Sequence, residues 1–266
     1  RGWTYWHQLF MPRQLLENGL FTSLLTGKEN IFSVAGLLFV GRLIDRNSKL
    51  SRWSPVNGGG IGGGKDTFSN QALNTMFNYS VRTICSMESL IAPLRYENFL
   101  DTTRTIKPLD ATKTNTICDL WITDPPYADA VNYEEISEFF LVWYENIVSK
   151  LFSGWYSDSK RALAVKGRDR GFRRSMVNCY KAMAQNMPDN GMQIVMFTHQ
   201  DAAVWADLSL ILWASGLRVS AAWTITTERD SALKQGNYVQ GTVLLVLRKR
   251  TNTTPLFLDE ISHQVE

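Results

Sequence analysis

Residues 122–133 read ITDPPYADAVNY, and the four near their start, Asp124, Pro125, Pro126 and Tyr127, are the set best equipped for chemistry. Two successive prolines remove two backbone N–H groups and fix φ, so the segment offers carbonyl acceptors without competing donors. The residue before each proline is driven into extended geometry, which stiffens the turn. Asp124 adds a carboxylate acceptor and Tyr127 a flat aromatic face. Two acceptors beside an aromatic plate suit the exocyclic amino group of a planar base. Such an amine is a poor nucleophile, because its lone pair is delocalised into the ring. Hydrogen bonds accepted from both of its N–H groups, by the Asp124 side chain and the Pro125 carbonyl, favour a pyramidal nitrogen with a localised lone pair. The carboxylate also stabilises the positive charge that grows on that nitrogen as it attacks. Stacking on Tyr127 would hold the base with about 1–3 kcal/mol.

A second stretch invites a different chemistry. Residues 58–65 read GGGIGGGK, and against G-x-x-x-x-G-K-[ST] the residues Gly59, Gly64 and Lys65 fit. Asp66 then stands where a magnesium-binding hydroxyl belongs, and its charge would repel phosphates. Phosphate and dinucleotide loops follow a strand, whereas this run lies between two expected helices. It reads as a flexible connection, with Lys65 left as a weak candidate for touching a DNA backbone.

The elements that must position these residues divide the chain in two. Residues 1–100 read as helical: 12–25 (PRQLLENGLFTSLL) opens with Pro12 and carries Leu15, Leu16, Leu20, Leu24 and Leu25 at helical spacing. Further helices are expected over 30–50 and, behind a Ser69 cap, 69–91. From about 101 the texture alternates. TICDLWITD (116–124) reads as a buried strand, and EEISEFFLVWYENIVSKLF (134–152) as a helix whose Phe139, Phe140, Trp143 and Tyr144 pack a core. A helix at 175–187, a strand at 192–198, a helix at 202–216 and strands at 218–228 and 241–250 follow. This order predicts an α/β fold with a largely parallel sheet, the last two strands pairing antiparallel at its edge. On this reading, Asp124-Pro125-Pro126-Tyr127 sits at the carboxyl end of a strand, the edge where open α/β sheets bind ligands.

The bulk properties narrow the class. The 266 residues are 44% hydrophobic and 20% charged, with a net charge of +3, so a nucleic-acid role requires a local basic patch. The candidate patch is Lys160, Arg161, Lys166, Arg168, Arg170, Arg173 and Arg174, in a polar loop that could grip phosphates or simply be solvated. Cys85, Cys118 and Cys179 form no C-x-x-C pair, which argues against a zinc ribbon and fits a reducing cytoplasm; no metal site is expected. No apolar run is long enough to span a bilayer, and the opening RGWTYWHQLF is not a leader-type apolar region. The start at Arg1 reads as the start of a piece of a longer protein.

D-P-P-Y after an apolar strand resembles the amino-group methyltransferases that use S-adenosylmethionine to modify N6 of adenine or N4 of cytosine in DNA. LFMPRQLL (9–16), RNSKLSRW (46–53), DPPYADAVNYEEISEFFLVWYE (124–145), MPDNGMQIVMFTHQD (187–201), TTERD (226–230) and TVLLVLRKR (242–250) resemble, in order, landmarks of the large adenine-specific DNA methylases with a DUF1156-type amino terminus. The resemblance implies a Rossmann-like methyltransferase sheet and a catalytic role for Asp124, Pro125, Pro126 and Tyr127, with Asp124 also reaching the cofactor. A flipped base and the methyl sulfonium would meet above them. It implies DNA as partner, with Tyr133, His199 and the basic loop as candidate contacts; Glu228 is a further candidate. Two features depart from the family: no D-P-F-x-G-x-G cofactor loop is present, and the zinc-ribbon cysteines of many members are missing. The sheet is therefore expected to be partial, with the cofactor-binding half supplied from an amino-terminal part of the same protein. N4-cytosine or RNA amino-methylation, and a catalytically silent module that binds DNA or a partner, remain open beside the adenine reading.

Overall fold

The computed structural model describes residues 3–27, 31–54, 63–68, 81–85, 105–126, 132–155, 165, 169–226 and 241–251. The chain forms two compact units: Arg1–Pro108 with Tyr133–Ala162, and Leu109–Asn132 with Leu163–Glu266. Among the described residues it is a mixed α/β protein with five α-helices, and none is long and apolar enough to cross a membrane.

The first unit is built from α1 (Pro12–Leu25), α2 (Ile31–Arg46), a two-residue ribbon of β1 (Trp53–Ser54) and β2 (Gly63–Gly64), and α3 (Tyr133–Leu151). The sequence pattern assigns α3 to the 101–266 region, but it packs with the amino-terminal helices. Phe139, fully buried, stacks on Phe10 at 5.3 Å and meets Trp6, Phe68 and Phe140 edge-on. Pro12 occupies the first turn of α1, and the Gln14 side chain accepts the Met11 N–H at 2.9 Å. The expected leucine stripe is not the inward face. Leu16, Leu20 and Leu24 are exposed, while Gln14 and Asn18 are fully buried. Polar partners decide this rotation: Asn47 Nδ2 donates to Asn18 Oδ1 and to Glu17 Oε2, each at 3.1 Å.

Two further expectations change here. The end of the glycine run is a paired strand rather than a free connection, with Trp53 opposite Gly64 and Ser54 opposite Gly63. A Cβ on Gly64 would lie 2.6 Å from both the Arg46 carbonyl and Thr83 Oγ1, so only glycine lets this ribbon pack. Of the helix expected over 69–91, residues 81–85 are described and carry a 3₁₀ turn at 83–85. Buried Val81 and Thr83 hold that turn, Val81 accepting from Arg13 Nη2 at 2.9 Å and Thr83 donating to the Arg46 carbonyl.

The second unit is a four-stranded sheet, β3 (Leu120–Thr123), β4 (Met192–Phe197), β5 (Leu217–Ile225) and β6 (Thr242–Lys249), with α4 (Arg170–Gln185) and α5 (Ala202–Ala214). The strand order is β3-β4-β6-β5; β3 and β4 are parallel and β6 runs antiparallel to both its neighbours, so the sheet is mixed and not largely parallel as the strand–helix alternation predicts. The last two strands do pair antiparallel, but β6 lies inside the sheet and β5 holds the edge. A bulge between Val219 and Ala221 shifts the β5 register.

Phe172, Met176, Tyr180 and Met183 of α4, at helical spacing, join Leu208, Ile211 and Leu212 of α5 over Val195, Phe197, Leu245 and Leu247. The expected buried strand at 116–124 is shorter and less buried. β3 is an edge strand, and Leu120 and Ile122 are exposed. The reason is alternation: Trp121 and Thr123 share a face with buried Gln193 and Val195, while Leu120 and Ile122 turn to the other face.

Candidate active site at the strand ends

The second unit brings its chemistry-bearing residues to one end of the sheet. Because β3 and β4 are parallel, with Thr123 opposite Val195, Asp124 leaves β3 at the end where Thr198 and His199 leave β4. Antiparallel β6 enters at that same end, with Val243 opposite Phe197, and Thr198 Oγ1 donates to the Gly241 carbonyl at 3.0 Å. Ile225, opposite Thr242, brings the exit of β5 there as well. Asp124 is exposed, Pro125 buried and Pro126 half-buried. The buried proline ring anchors the turn, and the carboxylate beside it remains open to a ligand. Tyr127, the aromatic plate expected next, lies outside the described residues.

The loop after β4 is locked by its own hydrogen bonds. His199 Nδ1 accepts the Asp201 N–H at 2.9 Å, and the His199 carbonyl accepts Trp205 Nε1–H at 2.9 Å. Asp201 caps α5 by accepting the Ala203 N–H at 2.9 Å. The donor on Asp201 requires a lone pair on Nδ1, so this arrangement suits the neutral imidazole with its proton on Nε2. His199 is therefore a turn-building residue at the site's edge.

Arg170, Arg173 and Arg174 stand exposed in the first turn of α4, behind the Asp169 cap, whose carboxylate accepts the Phe172 N–H at 2.9 Å. Positive charge at a helix amino terminus opposes the macrodipole, and an anion there would relieve the conflict. Arg173 already has one, bonding Asp207 at 2.8 Å. A groove between α4 and α5, lined by Pro126, Phe172, Met176, Phe197 and Leu208, encloses about 20 Å3. That is room for one water molecule and not for a nucleobase.

The other candidates are placed elsewhere. Tyr133 opens α3 in the first unit and is exposed. Lys160, Arg161, Lys166, Arg168 and Glu228 lie outside the described residues. Lys65 is exposed, and its backbone N–H closes the β1–β2 ribbon onto the Arg52 carbonyl at 2.9 Å. The basic end of β6 belongs to the opposite end of the sheet: Arg248 donates to the Asn190 and Gly191 carbonyls, Lys249 pairs with Asp189 at 3.0 Å, and Arg250 lies 4.3 Å over Trp213.

One residue beside this site, Tyr180, is not singled out by the sequence pattern. Tyr180 is buried in the α4 core, and its hydroxyl lies 3.4 Å from Thr123 Oγ1, one residue before Asp124. Helical spacing puts Tyr180 on the inward face, but only the docking of α4 on β3 shows what its hydroxyl meets.

Among the described residues no group of three His, Cys, Asp or Glu side chains could hold a metal ion. Of the glycines that might cradle S-adenosylmethionine, Gly64 does not, because the Arg46 carbonyl and Thr83 Oγ1 fill the space where a ligand would approach. Compared with protein-family models, with curated proteins and with solved structures, the chain matches none.

Proposed function

We propose that this chain carries the base-binding, catalytic part of an S-adenosylmethionine-dependent methyltransferase that modifies the N6 amino group of adenine in DNA, on a partial Rossmann-like sheet. The observation that carries this reading is the exit of β3: an exposed carboxylate, a buried proline and a second proline at the carboxyl end of a parallel strand pair. That edge is where ligands sit in open α/β sheets. There the Asp124 carboxylate and the Pro125 carbonyl each accept one N–H of the base amine, pyramidalising its nitrogen and stabilising the charge that develops on it. Being exposed, Asp124 can also pass the proton that the amine loses to solvent. S-adenosylmethionine, when bound, supplies the methyl group; its cradle belongs to a part of the enzyme other than the described residues. Arg170 and Arg174 fit phosphate contacts beside the site.

The test is methyl transfer to DNA by the full-length protein, followed by digestion to nucleosides. Asp124→Ala is expected to lower the rate by roughly 10²–10³-fold, with the wild-type label in N6-methyl-2′-deoxyadenosine. An unchanged rate rejects the catalytic assignment. Label in N4-methylcytosine, or in RNA, moves the activity to the related substrate. A second reading, a silent module that binds DNA or a partner, is favoured by the filled glycine ribbon; it predicts DNA retention with no label at all.

A further inference from the structure

The acceptor pair works only if the chain leaves β3 in one direction, and among the described residues β3 is an edge strand, paired on one side alone. β3 pairs with β4 over four residues, from Leu120 opposite Met192 to Thr123 opposite Val195. Asp124 itself is exposed, so the direction of its carboxylate depends on what fixes the residues around it. Pro125 fixes the far side by burial. On the near side the contact is Thr123, whose hydroxyl lies 3.4 Å from the Tyr180 hydroxyl.

We infer that Tyr180 is a positioning residue for the Asp124 carboxylate and the Pro125 carbonyl, acting through the Thr123 side chain; as a catalytic role this rests on the methyltransferase reading. Three observations carry it. Tyr180 is 2% exposed and lies among Phe172, Met176, Met183 and Val195, where a phenylalanine would pack as well and bring no polar atom to satisfy. Its hydroxyl is spent on the last residue of the strand, next to the proposed acceptor pair. At 3.4 Å the contact is at the long end for an O–H···O bond, so its effect is expected locally at the strand exit and not in the stability of the whole sheet. Burial pushes the phenol up to about 12; the Thr123 bond lowers it, and the Cys179 and Asp124 charges add to the rise. Tyr180 therefore stays neutral and keeps its proton throughout the pH range in which a methyltransferase works. It does not reach the reacting atoms, which leaves positioning as its role.

The test joins a structural and a kinetic readout on Tyr180→Phe, Thr123→Val and Thr123→Ser. Amide hydrogen exchange in this chain is expected to rise about tenfold at Asp124 in Tyr180→Phe and Thr123→Val, with Val195 and Leu245 unchanged and Thr123→Ser close to wild type. In the methylating polypeptide, kcat is expected to fall roughly ten- to hundredfold in the first two variants at unchanged KM for DNA, with Thr123→Ser restoring it. Unchanged exchange at Asp124 overturns the inference, and so does faster exchange with wild-type kcat. Uniformly faster exchange across the sheet also overturns it, showing a packing role only. If the wild-type polypeptide transfers no methyl group while the local exchange effect is present, the methyltransferase reading falls and the hold of Tyr180 on the strand exit stands.

Discussion

The two units differ in how much polar side chain they bury beside their apolar cores. Among the described residues, the first holds Gln14, Asn18, Ser33, Asn47, Ser48, Ser51, Thr67 and Thr83 at 0% exposure; the second buries Gln193 and Ser215. The first is organised by partners. Ser48, Ser51 and Thr67 meet hydroxyl to hydroxyl, and Thr67 Oγ1 donates to the Asp45 carbonyl at 2.5 Å. Asn47 joins α1 to the end of α2, while Lys49 donates its N–H to the Leu9 carbonyl and its ammonium to the Gln8 carbonyl. Three sequence landmarks that are far apart in the chain, 9–16, 46–53 and the end of the glycine run, thus close on one another. The second unit is organised by layers, an apolar helix face on an apolar sheet face. Apolar layers tolerate exchange of one hydrophobe for another, whereas a hydrogen-bonded knot fails when one partner is lost.

The largest expected effect sharpens the layered half. Leu247→Ala, at a fully buried position of the central strand β6, should destabilise the second unit by about 2–5 kcal/mol. Urea unfolding followed by exchange at β4 amides measures it, and a loss below 1 kcal/mol would mean that the layer is not the unit's main support.

Next come two buried amides with opposite expected signs. Asn47→Leu removes the donor to the buried Asn18 Oδ1, while Glu17 keeps Arg13, and should cost about 1–3 kcal/mol. Gln193 has both amide atoms buried with no hydrogen-bond partner among the described residues. Gln193→Met should therefore stabilise the second unit by about 1–2 kcal/mol. Denaturation midpoints that move the same way in both variants would break the contrast between the units.

The smallest effect is a pH dependence in the first unit. Burial, with the Asp66 charge behind it, raises the Asp45 carboxyl above 3.8, against the pull of the Thr67 N–H and Arg46. A folded state that holds its proton to higher pH is most favoured below 3.8 and loses that contribution as pH rises through the raised value. Asp45→Asn should accordingly be more stable than wild type at neutral pH, with the gain shrinking as pH falls towards 4. Parallel stability curves for the two proteins would show that Asp45 does not contribute.

Much of the helical and strand layout can be read from the sequence because it is local. Pro12 starts α1, glutamates open α3 and Lys150 closes it, and Gly216, at φ +84°, ends α5 by a turn that glycine adopts freely. The place of Asp124 and the prolines just after a strand was readable in the same way. Asp124 and the prolines stand at a strand end because an apolar run must stop where prolines remove its donors. Harder to read were the inward face of α1, the edge position of β3 and the pairing of Gly63–Gly64. In each case two patterns compete: leucines against amides on α1, exposure against burial on β3, flexibility against close packing at the glycines.

What the sequence by itself determined is the set of local conformations and the chemical inventory at the turn after β3, since both follow from residue type and the next few neighbours. Tertiary structure alone decided which of those groups share a place. It brought His199 and Gly241 to the end of the sheet where Asp124 exits and carried Arg248–Arg250 to the other end. It set Tyr180 against Thr123 and joined α3 to the amino-terminal helices. Strand order and helix docking are settled by long-range burial and partner satisfaction, and these depend on residues far apart in the chain.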